Sequence, residues 1–345
     1  WLEEAHNLTA EQWEILEPTI RKEGSQVWIL FNPRLVTDFV WKRFVVNTPP
    51  DTIKRHINYP ENPFLSDTML RIIAAKQAED DEEFRHIYLG QPREDDDAVV
   101  IKRSWIMAAL GACAKLGIEK GPGRRIGFDV ADSGDDQNAL CLMEGIEAAS
   151  LDEWKGGEDE LLKSAGRVHK AARESGAVID YDSIGVGAFA GAHFAALNEE
   201  FGARLEYHRF NASDGVINPE VRVDADDPKS PVNKDYYANL KAQTWWDVAR
   251  RFRNTFNAVT KGMAYAVEDL ISISPDCPHV DRLIDELSTP RRDFDNAGRV
   301  KVESKKDLGK RKIASPNLAD AFVMANAPRE KAAVAQIFLK SRQRT

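Results

Sequence analysis

The chain has 345 residues, of which 43% are hydrophobic and 30% charged, and its formal net charge at pH 7 is −9. This length predicts two domains, and the acidic total argues against a protein that simply coats nucleic acid. No apolar run is long enough to cross a bilayer, so no membrane partner is expected. The chain begins at Trp1 without an initiating Met or a signal-like segment, which is typical of a piece of a longer protein.

The cysteines and histidines argue against a zinc site. Cys113, Cys141 and Cys277 are odd in number and widely spaced, as expected in a reducing compartment. The seven histidines form no HxH or HxxxH pattern. A bound metal would therefore need oxygen ligands, which favours Mg²⁺ or Mn²⁺.

The first ninety residues predict a mixed region that starts with a short helix. Thr9 and Gln12 fit a capping box, and the apolar face that follows predicts a helix ending at Gly24. The run VWILF, at 27–31, predicts a short buried strand. The remaining predicted elements of this region are a helix after Ser66, a helix around 82–88 and a polar linker, QPREDDD, at 91–97.

A second domain is predicted from about residue 99, and its first strand runs from Arg124 to Ala131. Side chains alternate between the two faces of a strand, so Asp129 lies opposite the apolar residues. The later predicted elements are strands at 138–144, 151–154, 177–182 and 203–210, helices at 158–175, near Val186 and at 234–256, and a last helix with Ser315 as N-cap and Pro316 at N1. This order predicts a mixed α/β sheet flanked by helices, as in the ribonuclease H-like fold.

Three aspartates in this domain are candidate metal ligands. Asp129 lies in the first strand, Asp182 ends the strand AVIDYD, and Asp320 is predicted in the second turn of the last helix. Phosphodiester hydrolysis builds negative charge on the attacking and leaving oxygens, and two divalent ions held by carboxylates can stabilise both. No serine or cysteine nucleophile is then required.

Neighbouring acidic residues leave alternatives open. Asp135 and Asp136 follow the first strand and could add a ligand or form an Asx-turn. Asp180 shares a strand face with Asp182 and competes with it for the role of ligand. The glycine-rich turn GVGAFAG, at 185–191, approximates a dinucleotide fingerprint and gives a Rossmann-type oxidoreductase as an alternative. Close helix–sheet packing by small residues explains the same glycines.

Three segments resemble the nuclease motifs of tailed-phage terminase large subunits, whose nuclease domain is ribonuclease H-like. They are FDVADSGDDQNAL, VIDYDSIGVGAFA and SPNLADAF. The resemblance implies a metal-dependent endonuclease that cuts double-stranded DNA during viral genome packaging, with two Mg²⁺ or Mn²⁺ ions. It assigns the catalytic and metal-binding roles to Asp129, Asp182 and Asp320, with Asp135 as an auxiliary ligand.

The first ninety residues also resemble this family, in its ATPase domain. WLEEAHNLT resembles the end of a Walker B motif, so Glu3 would face the ATP-site metal and Glu4 would activate water. FNP resembles the motif that couples hydrolysis to movement, and INYPENPFL and HIYLGQP resemble the approach to the linker. No GxxxxGK[ST] is present, and the family carries its P-loop upstream of Walker B. ATP hydrolysis is therefore expected only of the full-length protein.

The resemblance also implies the domain limits, the partners and the location. The expected regions are the end of a P-loop ATPase domain at 1–92, a linker at 93–100, the nuclease domain at 101–330 and a tail at 331–345. The expected partners are double-stranded DNA, the portal protein and the small terminase subunit, with a homo-oligomeric ring on the portal. The expected location is the cytoplasm of the infected bacterial host, and not the mature virion.

A basic stretch near the end of the chain is the predicted DNA contact. NLKAQTWWDVARRF resembles the family's long helix before a basic hairpin. Lysines and arginines of the stretch can neutralise phosphates, namely Arg291, Arg292, Lys305, Lys306, Lys310 and Arg311. A motor or docking fragment that binds portal and DNA without cutting is the other alternative, and it would need a broken acidic cluster.

Overall fold

The computed structural model describes residues 1–79, 81–93, 98–131, 136–156, 160–225 and 227–329. The chain divides into two compact units, Trp1–Asp97 and Ala98–Thr345. No helix in these described ranges combines the length and the apolar character that crossing a bilayer requires.

The first unit is built around three α-helices in its described residues. They are α1 (Ala10–Leu16), α2 (Asp67–Glu79) and α3 (Asp81–Leu89). The predicted capping box is present: the backbone N–H of Gln12 donates to Thr9 Oγ1 at 3.2 Å, and that of Thr9 donates to Gln12 Oε1 at 3.0 Å. The helix ends well before the predicted Gly24, because Pro18 has no N–H to continue it.

The predicted buried strand at 27–31 is wrong. In the described residues this run forms a single parallel bridge, between Ile29 and Leu2, supported by a hydrogen bond from Leu2 N to Trp28 O at 2.7 Å. Trp28 is 56% exposed and stacks on Trp1 instead of entering a core. One bridge to Leu2 cannot supply the ladder that a strand needs.

A mixed sheet forms the centre of the second unit. Its strands, as far as the chain is described, are β1 (Arg124–Asp129), β2 (Asn138–Glu144), β3 (Glu147–Trp154), β4 (Val178–Asp182), β5 (Tyr207–Phe210) and β6 (Ser272–Ile273), in the order β5-β4-β1-β2-β3-β6. The first three are antiparallel neighbours, whereas β4 and β5 run parallel to β1. This is the ribonuclease H-like arrangement predicted above. The antiparallel β1-β2-β3 meander excludes the doubly wound parallel sheet of the dinucleotide alternative.

Helices cover both faces of this sheet. They are α4 (Arg103–Ala109), α5 (Ala112–Leu116), α6 (Leu161–Ser175), α7 (Ala190–Phe201), α8 (Asn233–Tyr236), α9 (Leu240–Lys261), α10 (Val280–Leu287), α11 (Lys305–Lys310) and α12 (Asn317–Ala325), with a hairpin of β7 (Arg292–Phe294) and β8 (Val300–Val302) before α11. On one face Ile126 and Phe128 of β1 pack with α6 and α7. On the other, Trp245 and Phe252 of α9 pack with Phe322 of α12.

Two predicted helix starts are corrected by the structure. The single helix predicted at 234–256 is two helices, because Asn239 is extended and its side chain caps α9 by accepting from Ala242 N. The last helix starts one residue later than predicted, with Pro316 at the N-cap position in place of Ser315. Asp320 therefore lies in the first turn of α12, and its N–H donates to Pro316 O at 2.8 Å.

Gly127 explains how α12 reaches the sheet. A Cβ at this position would lie 1.9 Å from the carbonyl oxygen of Ala321 and 2.7 Å from the backbone nitrogen of Ala325. Only glycine allows the helix backbone to rest directly on β1. This close contact brings Asp320 beside the end of β1, where Asp129 lies.

Candidate metal centre

Three of the predicted aspartates come together in one cavity. Asp129 ends β1 and Asp182 ends β4, and parallel neighbouring strands place their carboxyl ends at the same edge of a sheet. Asp320 reaches this edge from α12. The cavity has a volume of about 360 Å³, and its charged lining consists of Asp129, Asp136, Asp182, Asp320, Lys241 and Lys305.

Burial makes the ionised form of these carboxyl groups costly. Asp129 is only 3% exposed, and burial raises its pKa well above the ordinary value. The Lys305 ammonium opposes that shift, whereas the carboxylates of Asp320 and Asp182 add to it. Burial also raises the pKa of Asp182, against the backbone N–H of Ile184, which donates to Asp182 Oδ1 at 3.0 Å.

Two lysines partly neutralise the cluster. Lys305 Nζ lies 3.8 Å from Asp129 Oδ2 and 3.7 Å from Asp320 Oδ2, while Lys241 Nζ donates to Asp320 Oδ1 at 2.9 Å. Burial alone would lower the pKa of Lys305, but the carboxylates of Asp129 and Asp320 raise it by more. The ammonium of Lys305 thus occupies the space between two carboxylates.

The chemistry of this donor set fits a hard divalent cation, because its acidic side chains offer only carboxylate oxygens. Within the described ranges, no three acidic, histidine or cysteine side chains are already arranged to hold an ion. The Lys305 ammonium lies 3.8 Å from Asp129 Oδ2 and 3.7 Å from Asp320 Oδ2, so an ion held by these two carboxylates would take its place.

Asp180 has a different environment from Asp182, although both lie on the same face of β4. Arg125 Nε donates to Asp180 Oδ2 at 3.0 Å, and Arg329 lies 3.0 Å from both carboxylate oxygens. Asp182 lines the cavity, whereas Asp180 is not among the residues that line it. This placement favours Asp182 over Asp180 as the ligand.

The glycine-rich segment after β4 packs closely against the end of that strand, as the helix–sheet packing interpretation of these glycines predicts. A Cβ at Gly187 would lie 2.1 Å from the carbonyl oxygen of Asp182, and one at Gly191 would lie 2.3 Å from the hydroxyl of Tyr181. These glycines let the chain turn back against the end of β4, and Asp182 is held there.

The other predicted site residues are placed as follows. Asp135 lies outside the described residues, and Asp136 lines the cavity. In the first unit, Glu3 Oε1 accepts from Trp1 Nε1 at 2.8 Å, and Glu4 Oε2 lies 3.6 Å from His6 Nδ1. Both glutamates are exposed.

The predicted DNA-contact stretch forms the β7–β8 hairpin and α11, and much of its charge is paired internally. Arg311 pairs with Glu303 at 2.5 Å, and Lys310 pairs with Asp307 at 2.6 Å. Lys305 reaches into the cavity. Of the remaining residues, Arg292 and Lys306 are exposed and Arg291 is half-buried.

Sequence reasoning missed Lys241. It lies in the first turn of α9, inside a segment whose apolar stripe was correctly predicted to be core. The available signal was its position directly after the N-cap Asn239 and Leu240, where acidic residues are usually favoured over lysine.

Comparisons with known proteins give the following matches. Residues 1–91 match the family model described as phage terminase large subunit. The gp2c fragment of the large terminase subunit from bacteriophage Sf6, solved as a mutant with calcium, is 25% identical, with a TM-score of 0.61 over 67% of this chain and 100% of that one. The nuclease domain of the large terminase subunit gp2 of bacterial virus Sf6 is also 25% identical, with a TM-score of 0.61 over 67% of this chain and 99% of that one. No curated protein gives a match.

Proposed function

We propose that this chain, which belongs to the phage terminase large subunits, is a metal-dependent endonuclease that cuts double-stranded DNA during viral genome packaging. The observation that carries the proposal is the convergence of Asp129, Asp182 and Asp320 on one cavity at the edge of a ribonuclease H-like sheet. These side chains come from two strands and a helix that are far apart in the sequence. A structural ion pair would not need three carboxylates in one place.

The three aspartates would hold divalent cations, Mg²⁺ or Mn²⁺, and we propose two ions. When bound, such ions supply activation of a water molecule and stabilisation of negative charge on the phosphate that is cut. Asp129 and Asp320 face each other across the Lys305 ammonium, and Asp182 approaches from β4. Asp135, the auxiliary ligand implied by the resemblance, and Asp136, which lines the cavity, are the candidates for a further ligand.

Lys305 has a role in this scheme that differs from a simple surface contact. Its ammonium neutralises Asp129 and Asp320 while no ion lies between them. Since its side chain is 46% exposed, Lys305 has room to leave the space in which Asp129 and Asp320 would hold an ion. From outside that space it can reach a DNA phosphate, as the sequence predicts. Arg291, Arg292, Lys306, Lys310 and Arg311 would contact phosphates further along the same surface.

The motor function belongs to the full-length protein in this proposal. Glu3 and Glu4 would serve an ATP site completed by an upstream P-loop, and this site would drive DNA into the capsid. The portal protein and the small terminase subunit would be the partners, and a ring of copies on the portal would be the working assembly. The place of action would be the cytoplasm of the infected bacterium.

Plasmid cutting tests the proposed nuclease directly. Supercoiled plasmid should be converted to nicked and linear forms with Mn²⁺, and it should stay intact when EDTA replaces the metal. Asp129→Asn should abolish cutting, whereas Asp281→Asn, an exposed aspartate of α10, should cut like the wild type. Full cutting in EDTA or by Asp129→Asn would refute the proposal.

The alternative of a non-cutting docking fragment requires a broken acidic cluster. Asp129, Asp182 and Asp320 are all present and all line the same cavity. The geometry therefore favours cutting, and the absence of cutting by the wild type with Mn²⁺ would favour the docking fragment.

A further inference from the structure

Lys241 makes the shortest ion pair in the cavity. Its ammonium donates to Asp320 Oδ1 at 2.9 Å, whereas Lys305 lies 3.7 Å from the other oxygen, Oδ2. The two oxygens of Asp320 thus face different cations. Oδ2 lies near the Lys305 ammonium, which also approaches Asp129, and Oδ1 accepts from Lys241 of α9.

The backbone that carries Lys241 is held at several points. The N–H of Lys241 donates to Ala212 O at 3.2 Å, and the N–H of Leu240 donates to Asp214 O at 2.8 Å. Gln243, on the same turn, exchanges two hydrogen bonds with the backbone of Ile217, at 2.7 and 2.9 Å. Lys241 also has less freedom than Lys305, because its side chain is 25% exposed and that of Lys305 is 46% exposed.

The position of Lys241 is unfavourable for the helix itself. Lys241 is the second residue of a 22-residue helix whose first turn contains no acidic residue. The positive end of the helix dipole disfavours a lysine at this position. The Asp320 carboxylate offsets this cost by accepting from the ammonium of Lys241.

We propose that Lys241 is a positioning residue, which holds Asp320 Oδ1 so that Oδ2 is directed toward the divalent cation. This inference rests on the proposed nuclease function, because it assigns Lys241 a task only if Asp320 is a metal ligand. Partners that orient a metal ligand from outside the coordination sphere are typically worth a factor of about 10–100 in metal affinity. Without Lys241, the Asp320 carboxylate is free to rotate toward Lys305.

Titration calorimetry with Mn²⁺ tests this inference without DNA. Lys241→Met keeps the apolar stem and removes the ammonium, so Mn²⁺ should bind about 10–100-fold more weakly than to the wild type. Lys241→Arg, which can still donate to Oδ1, should restore most of the affinity. The matched control is Lys261→Met, at the exposed end of the same helix. Melting curves in EDTA check folding, and Lys241→Gln replaces Lys241→Met if the latter does not fold.

The outcomes separate positioning from two other roles of a lysine. If Lys241 were only a second cation competing with the metal, Lys241→Met would bind Mn²⁺ as tightly as the wild type or more tightly. If it were a phosphate contact, the variant would lose affinity for a DNA duplex in EDTA while keeping its Mn²⁺ affinity. Either result overturns the inference but leaves the nuclease standing. A wild type that neither binds Mn²⁺ nor cuts DNA overturns both.

Discussion

Two carboxylates two residues apart on β4, Asp180 and Asp182, have opposite environments. Asp180 is buried and receives Arg125 from β1 and Arg329 from beyond α12. Asp182 lines the cavity, where it accepts from the backbone N–H of Ile184. The Asp320 carboxylate and the ammonium groups of Lys305 and Lys241 also act on it. The strand presents both side chains on one face, so the difference arises from what the neighbouring elements bring to each.

The nature of the partner distinguishes a structural carboxylate from a functional one. Arg125 is itself anchored, because Nη1 donates to the carbonyl oxygen of Ala327 at 2.8 Å. A planar guanidinium fixed in this way holds Asp180 in a defined geometry. In the cavity, Lys241 pairs with Asp320 Oδ1 at 2.9 Å, but the Lys305 ammonium between Asp129 and Asp320 stands farther from both carboxylates on a more exposed side chain. A cluster neutralised in that way can exchange its cation.

The largest expected effect is the difference in DNA cutting between two variants, Asp182→Asn and Asp180→Asn. Asp182→Asn should reduce Mn²⁺-dependent plasmid cutting on the order of 100-fold or more. The variant lacks a carboxylate that would hold the metal ions, and these ions stabilise negative charge in the transition state. Asp180→Asn should keep its cutting activity per folded molecule, because Asp180 lies outside the cavity. Initial rates, corrected for the folded fraction, make the comparison. Loss of activity in folded Asp180→Asn, with activity retained in Asp182→Asn, would reverse the assignment.

Stability should respond in the opposite sense. Asp180→Asn leaves the half-buried Arg125 without its carboxylate and should lower the free energy of unfolding by about 1–3 kcal/mol. Asp182→Asn should leave the metal-free protein as stable as the wild type or more so, since burial already penalises the ionised carboxylate. Denaturant titrations in EDTA measure both, with Asp281→Asn as control. An unaffected Asp180→Asn would mean that its arginine pairs contribute nothing to the fold.

Metal binding should sharpen the same contrast. Mn²⁺ at a hundredfold excess over its Kd should stabilise the wild type by about 2.7 kcal/mol, seen as a higher Tm. Asp180→Asn should keep that rise relative to its own EDTA curve, whereas Asp182→Asn should lose it. A wild type whose Tm does not change with Mn²⁺ would remove the metal centre from the proposal.

The sequence predicted the order of the elements and the convergence of the three aspartates better than the local details. Strand periodicity assigned Asp129 to the face opposite Ile126 and Phe128, and the structure confirms this, since those two side chains pack against α6 and α7. It could not separate Asp180 from Asp182, because a period of two gives both the same face. The arginines that pair with Asp180 come from β1 and from the segment after α12, and no local sequence pattern predicts these contacts.

The failures have a common physical origin in tertiary contacts. The apolar run at 27–31 has the composition of a buried strand, but in the described residues it forms one bridge, to Leu2, and one further hydrogen bond, from Ala5 N to Leu30 O. Ser315 has the chemistry of an N-cap, yet Pro316 occupies that position and Ser315 Oγ has no hydrogen-bond partner among the described residues. The sequence placed Lys305 among the DNA contacts and did not single out Lys241, because a long side chain can reach into a cavity that only the folded chain creates.

Glu286 is a partly buried carboxylate whose environment lies between those of Asp180 and Asp182. On α10 it accepts from the backbone N–H of Ala319 at 3.0 Å and from Arg282 Nε at 2.8 Å, so it holds the start of the helix that carries Asp320. Burial raises its pKa to about 7, against the Ala319 N–H and Arg282. One arginine and one amide thus leave a carboxylate that is less fully compensated than Asp180.

The smallest predicted effect follows from that raised pKa. A carboxyl group whose folded pKa exceeds its unfolded value stabilises the fold at low pH and loses that contribution as pH rises through the folded pKa. The free energy of unfolding of the wild type, relative to Glu286→Gln, should therefore fall by about 2 kcal/mol between pH 5 and pH 7. Denaturant titrations of both proteins across this range isolate the group, because the glutamine still accepts from Ala319 but does not titrate. A flat difference would mean that Glu286 is ionised throughout and as well compensated as Asp180. A difference that rises with pH would mean that the helix amide and Arg282 outweigh burial.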